Sequence, residues 1–104
     1  MKQNIEEILK DGADVIHTYE TINQRISWIR EALEEKRDAT GWVVTIQRCL
    51  NALQDYSRKY PDSGFVRTNI RNARSNIKQS LPDDMYQQIR KSYRAYAVEA
   101  AKKQ

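Results

Sequence analysis

The sequence predicts an all-α protein, a helical bundle of about four amphipathic helices in which a long first helix carries a coiled-coil-like heptad seam. Two observations support this prediction. Apolar side chains recur every three to four residues along most of the 104-residue chain, the spacing of one helix face. The few helix breakers, three glycines and two prolines, fall mainly where that pattern stops. We therefore expect helices joined by short turns and a single helical domain over residues 1–104.

The first helix is predicted by apolar or small residues at alternating spacings of three and four, over about four heptads. This seam consists of Ile5, Ile8, Gly12, Val15, Tyr19, Ile22, Ile26, Ile29 and Leu33. Glycine inside a helix costs about 1 kcal/mol relative to alanine, so a break or kink would fall at Gly12. A helix this long cannot be covered along its whole length by any one of the shorter helices. Its remaining apolar surface is covered either by the other helices or by a second copy, which makes a homodimer one expectation.

Turn signals divide the rest of the chain into three shorter helices. Residues 38–41 offer capping groups for a second helix that runs from about Trp42 to Tyr60. Residues 61–64 end that helix at a proline and supply Ser63 as a cap for the third. Pro82, followed by two acidic residues, opens the fourth. The predicted apolar faces are Val43, Ile46, Leu50, Leu53, Ser57 and Tyr60, then Val66, Ile70, Ala73, Ile77 and Leu81, then Met85, Ile89, Tyr93, Tyr96 and Ala100.

The composition argues against several classes of protein. Charged residues make up 31% of the chain, and no apolar stretch approaches the roughly 20 residues of a membrane span, so we expect no membrane association. A lone cysteine, Cys49, cannot form an intramolecular disulfide, and the chain is expected to be cytoplasmic. The only histidine, His17, lies off the seam, and no phosphate-binding or metal-ligand motif occurs. We therefore predict no enzymatic activity and no cofactor.

Charge is distributed unevenly along the chain. The formal net charge is +4, but residues 1–40 contain six basic and nine acidic side chains, whereas residues 41–104 contain twelve basic and five acidic ones. The predicted third helix carries a basic stripe, defined by Arg67, Arg71, Arg74 and Lys78. At about 100° per residue these four cations fall within an arc of roughly 60°. Arg90 and Arg94 on the fourth helix are predicted to extend the positive surface.

Three interpretations of the basic stripe are open at this stage. It could be a solvated face, or it could pair within the molecule with an acidic cluster on the first helix, consisting of Glu20, Glu31, Glu34, Glu35 and Asp38. It could contact an acidic surface of a partner protein. It could also lie along the phosphates of a nucleic acid.

Trp28 is a second candidate for partner binding. It lies off the Ile26, Ile29 and Leu33 seam, where a large aromatic side chain either anchors an interface or is covered by a neighbouring helix. With the stripe, it leads to our first hypothesis: a small non-enzymatic interaction protein that binds and regulates or inhibits a larger protein or complex. Such a role is compatible with the host-takeover proteins of phages and mobile elements. The alternative is a nucleic-acid-binding protein that uses the basic stripe.

Overall fold

The computed structural model describes residues 4–103, and within them the chain forms four α-helices. These helices are α1 (Ile5–Glu34), α2 (Thr40–Lys59), α3 (Gly64–Ser80) and α4 (Asp83–Lys102). The described residues contain no strand. The predicted all-α bundle is therefore confirmed.

The helix ends use the capping groups that the sequence offers. The Asn4 side chain accepts a hydrogen bond from the Glu6 backbone N–H, and the Ser63 hydroxyl accepts one from Val66. Before α2, the Asp38 carboxylate accepts from the Thr40 backbone at 3.0 Å. These bonds satisfy amide groups that have no partner inside the first turn of a helix.

The first helix runs through Gly12 without a break. Its predicted seam is buried only in the middle, because Ile5, Ile8 and Leu33 are exposed. Near the carboxyl end Ala32 is buried instead of Leu33.

The helices are arranged around α2 and α3. Both of these helices pack against α1 on one side and against α4 on the other, whereas α1 and α4 do not pack against each other within the described residues. The contiguous core consists of Val15, Ile22, Ile26, Ile29, Ala32, Ala39, Val43, Ile46, Leu50, Leu53, Val66, Ile70, Ala73, Ile77, Leu81 and Ile89. Only one of these core residues comes from α4.

Polar contacts complete the attachment of α4. The buried Gln54 side chain donates to the Tyr93 backbone carbonyl at 2.9 Å, and the Tyr96 hydroxyl donates to the Asp55 carboxylate at 2.8 Å. The Asp55 bond raises the pKa of Tyr96. The half-buried rings of Tyr86 and Tyr93 also pack against the core, so α4 is attached by aromatic and polar contacts more than by buried aliphatic side chains.

An ion pair joins α1 to the end of α2. Lys59 Nζ donates to Asp11 Oδ2 at 2.7 Å and also to Glu7, while the Tyr60 hydroxyl donates to the same Asp11 oxygen. Asp11 is only 8% exposed. The bonds from Lys59 and Tyr60 hold the pKa of Asp11 below its ordinary 3.8, and the carboxylate raises the pKa of both donors.

Within the described residues, none of the helices combines the length and the apolar character of a membrane span.

Candidate partner-binding groove

An open groove of about 660 Å³ lies between α3 and α4, next to the end of α2. All four residues of the basic stripe line it. The full lining consists of Ser57, Pro61, Arg67, Ile70, Arg71, Arg74, Ser75, Lys78, Tyr86 and Tyr93. We call it the basic groove, because its lining includes four cations and no carboxylate.

The helical repeat explains why these side chains meet. On α3, Ile70 and Ile77 are buried in the core, and the stripe lies about 90° around the helix from that face. On α4, Tyr86 and Tyr93 are seven residues apart, so they lie on the same face two turns from each other. The groove thus forms where the edge of the apolar face of α3 meets the two tyrosine rings on α4.

Two of the stripe cations are positioned by the tyrosine rings. The Arg74 guanidinium lies 4.6 Å from the centroid of the Tyr93 ring, and the Lys78 ammonium lies 6.0 Å from that of Tyr86. Such cation–π contacts orient a cation but leave its charge uncompensated. Arg67 is held differently, by donating from Nη1 to the Pro61 carbonyl at 2.8 Å.

The basic groove has no ion pair with the acidic cluster of α1 in the described part of the chain. Glu35 pairs instead with Arg37, and Asp38 accepts hydrogen bonds from Thr40. Arg67, Arg71 and Lys78 are exposed. Of the three interpretations offered by the sequence, intramolecular pairing is therefore not the one that the structure adopts.

The two arginines predicted on α4 occupy different positions. Arg90 is half-buried and lines a small depression with Arg74, Tyr86 and Tyr93, so it adjoins the basic groove. Arg94 is exposed and lies further out, beside Lys91. The positive surface of the groove consequently continues over α4, which contains no acidic residue between positions 85 and 98.

Trp28 does not line the groove. Its ring packs edge to face against Trp42 of α2, with centroids 5.7 Å apart, and the Arg25 guanidinium lies 4.2 Å from the Trp28 centroid. A neighbouring helix thus covers part of Trp28, which is half-buried. Its role as a partner anchor stays a prediction.

The groove tyrosines were missing from the predicted site. Tyr93 was assigned to the core, and no role was predicted for Tyr86. Their seven-residue spacing could have indicated them, because it places both rings on the same face of α4. The buried core residue Ile89 lies at the edge of that face. What the sequence could not supply was the position of α4 relative to the basic stripe.

Other reactive side chains are isolated from one another. Cys49 is half-buried and burial raises the pKa of its thiol, which disfavours the reactive thiolate. His17 is exposed on α1. Among residues 4–103 no three His, Cys, Asp or Glu side chains are grouped so that they could hold a metal ion.

The chemistry that the groove offers is anion binding. Guanidinium groups provide several fixed N–H donors that suit carboxylate and phosphate oxygens, and Lys78 adds a mobile ammonium. No protein-family model matches this chain, and neither a curated protein nor a solved structure does so. The charge and shape of the basic groove are therefore the main guide to its partner.

Proposed function

We propose that this chain is a non-enzymatic interaction protein that binds an acidic segment of a larger protein in the basic groove and regulates or inhibits that protein by covering its surface. One observation carries the proposal: four cations line a single open groove in which no lining residue is a carboxylate. Uncompensated cations in a concave surface attract an anionic partner and set its orientation.

The spacing of the cations favours a helical partner segment. The stripe steps by four, three and four residues, so successive cations rise by about 6, 4.5 and 6 Å along α3. Acidic residues at the same spacing on a partner helix would face them one to one. A groove between two helices is also a surface on which a third helix packs.

Nucleic acid is the second candidate, because the positive surface extends past the groove. Arg90, Lys91 and Arg94 prolong it over α4, and the tyrosine rings lie among the cations. Single-stranded nucleic acids bind to such combinations of cations and aromatic rings. One face of the Tyr93 ring, however, is already occupied by Arg74, which leaves less ring surface for a base.

Binding to defined probes tests the proposal. We expect a helical peptide with glutamates at four-three-four spacing to bind more tightly than a peptide of the same composition with scattered glutamates. Arg71→Glu/Arg74→Glu should weaken binding at least about 100-fold, which corresponds to about 2.7 kcal/mol. Fluorescence anisotropy with labelled peptides measures both comparisons.

Charge-matched controls distinguish the groove from net charge. Arg30→Glu/Arg48→Glu makes the same change in charge at exposed positions outside the groove, and we expect it to bind the clustered peptide nearly as wild type does. Equal loss in both double variants would contradict the groove assignment. A single-stranded oligonucleotide is the parallel probe. Its tighter, steeply salt-dependent binding, with one unit of slope lost per phosphate-contacting arginine removed, would favour the second candidate.

Affinity capture would identify the partner itself. Wild type, the groove variant and the control variant would be used as baits, each with and without nuclease. We propose that the partner is cytoplasmic, because an unpaired cysteine suits a reducing compartment. A phage or mobile-element origin agrees with inhibition by surface coverage, and a host protein that only the wild-type and control baits capture would support it.

A further inference from the structure

The first half of α1 presents a second exposed surface, which is apolar. Its central residues, here called the apolar stripe, are Ile5, Leu9, Gly12 and Ile16. The three aliphatic side chains are 73%, 68% and 47% exposed. Ile8 and Phe65 are also exposed at its border. Large apolar side chains that are exposed together on one surface mark an interaction site in soluble proteins.

The apolar stripe is complementary to itself. Its steps of four, three and four residues read the same in both directions, so two antiparallel copies of α1 match Ile5 with Ile16 and Leu9 with Gly12. Every layer of that pairing contains either two isoleucines or one large and one minimal residue. Parallel pairing would instead place Leu9 against Leu9 and Gly12 against Gly12, which leaves one layer crowded and the next one empty.

A pocket lies where the antiparallel pairing needs one. It has a volume of about 250 Å³, and the Asp11 carboxylate at its wall is already hydrogen-bonded to Lys59 and Tyr60. The full lining consists of Ile8, Asp11, Gly12, Val15, Tyr60, Ser63, Phe65 and Val66. Apart from the backbone of its own helix, no atom lies within 4 Å of the position that a Cβ on Gly12 would take. Leu9 of a second copy, placed opposite Gly12, would enter this space.

We propose that the protein forms a homodimer in which the apolar stripes of two copies pair antiparallel. In this register the flanking residues Glu6 and Ala13 face each other, so no like charges meet across the pair. The paired segment spans about 16 Å of helix. An interface this short is at the small end of protein interfaces and gives a weak dimer.

The homodimer does not depend on the function proposed for the basic groove. The groove lies between α3 and α4, and none of its lining residues also lines the pocket beside Gly12. Dimerisation would therefore leave two basic grooves accessible. A partner with repeated acidic segments would then gain affinity from bivalent binding.

Sedimentation equilibrium from about 1 µM to about 1 mM tests the dimer. We expect wild type to dimerise in this range, and Leu9→Glu and Gly12→Glu to shift the dissociation constant upward by at least tenfold. Both sites are open, so each variant should retain its helical circular dichroism. Val98→Glu is the matched control, since Val98 is 54% exposed on α4, and it should dimerise as wild type does.

Cross-linking tests the antiparallel register. In a Cys49→Ala background, Ile5→Cys and Ile16→Cys are prepared separately, with one of them isotopically labelled. We expect a disulfide-linked mixed dimer when the two proteins are combined under mild oxidation, and little linkage in either protein alone. Self-linkage of each variant without preference for the mixed dimer would overturn the register. A wild type that is monomeric at about 1 mM, or a folded Leu9→Glu that dimerises unchanged, would overturn the dimer.

Discussion

Lys59 and Arg74 are both cations at helix packing surfaces, but their surroundings are opposite. Lys59 contacts two carboxylates, Glu7 and Asp11, and its charge is compensated inside the molecule. Arg74 lies over the Tyr93 ring and has no carboxylate partner within the described residues. The ion pairs of Lys59 hold α1 to α2. The ring contact of Arg74 positions the guanidinium but leaves its charge free to bind an anion.

The contrast separates residues that stabilise the fold from residues that are available to the proposed partner. A cation paired with a buried carboxylate cannot be removed without leaving that carboxylate uncompensated. A cation held by an aromatic ring at a groove can be removed at small cost to the fold. Replacing each of these cations by methionine, which keeps much of the apolar stem, tests the distinction directly.

Lys59→Met is expected to have the largest effect on stability. It leaves the Asp11 carboxylate, 8% exposed, without its main partner, and the Tm should fall by at least about 5 °C. Thermal unfolding followed by circular dichroism measures the change. Lys91→Met removes an exposed lysine on α4 and should leave the free energy of unfolding within about 0.5 kcal/mol of wild type. Equal Tm values for both variants would contradict the structural role of Lys59.

Acid unfolding should depend on the same carboxylate. The pKa of Asp11 is held below its ordinary 3.8, first by Lys59 and then by Tyr60, so its contribution to stability is present above that value. It is lost as the pH falls through the lower pKa of the folded state. Urea unfolding between about pH 6 and pH 3 should therefore show a shallower pH dependence for Asp11→Asn than for wild type.

A second carboxylate with a lowered pKa provides the comparison. Hydrogen bonds from the Thr40 side chain and backbone lower the pKa of Asp38 at the start of α2. Asp38→Asn should therefore also reduce the acid dependence, and the double variant should reduce it further. An Asp11→Asn variant whose stability falls with acid as steeply as wild type would show that the ion pair does not control this transition.

Local sequence signals were sufficient for most of the fold. Ser63 and Pro82 marked helix boundaries because capping and proline geometry act within one turn. The helical repeat also identified buried positions such as Ile22 and Ile77. It failed at the ends of α1, where Ile5 is exposed, because periodicity does not reveal where neighbouring helices stop.

The site was less predictable, because it combines two helices. The basic stripe could be recognised on α3 alone, since its four cations share one face. Whether it would meet the acidic cluster or the aromatic edge of α4 depends on tertiary packing. That packing placed Tyr86 and Tyr93 in the groove and left Trp28 against Trp42.

Arg74→Met is the counterpart of Lys59→Met and should affect binding instead of folding. Removing one of four groove cations should weaken binding of the clustered acidic peptide about tenfold, which corresponds to about 1.4 kcal/mol. The free energy of unfolding should change by no more than about 0.5 kcal/mol, because no carboxylate loses its partner. Anisotropy and urea unfolding on the same samples separate the two effects. A large loss of stability without a loss of binding would reverse the assignment.

The smallest expected effect concerns the ring that positions Arg74. Tyr93→Leu keeps an apolar side chain in the half-buried site but removes the cation–π contact, which is worth about 0.5–1 kcal/mol. Arg74 would then sample more orientations, and peptide binding should weaken about two- to five-fold. Tyr86→Leu is the comparison, because Lys78 lies further from its ring, at 6.0 Å, and should lose less. In the Arg74→Met background, Tyr93→Leu should have no additional effect on binding. If it weakens binding equally with and without Arg74, the ring contacts the partner itself and does not act through the cation.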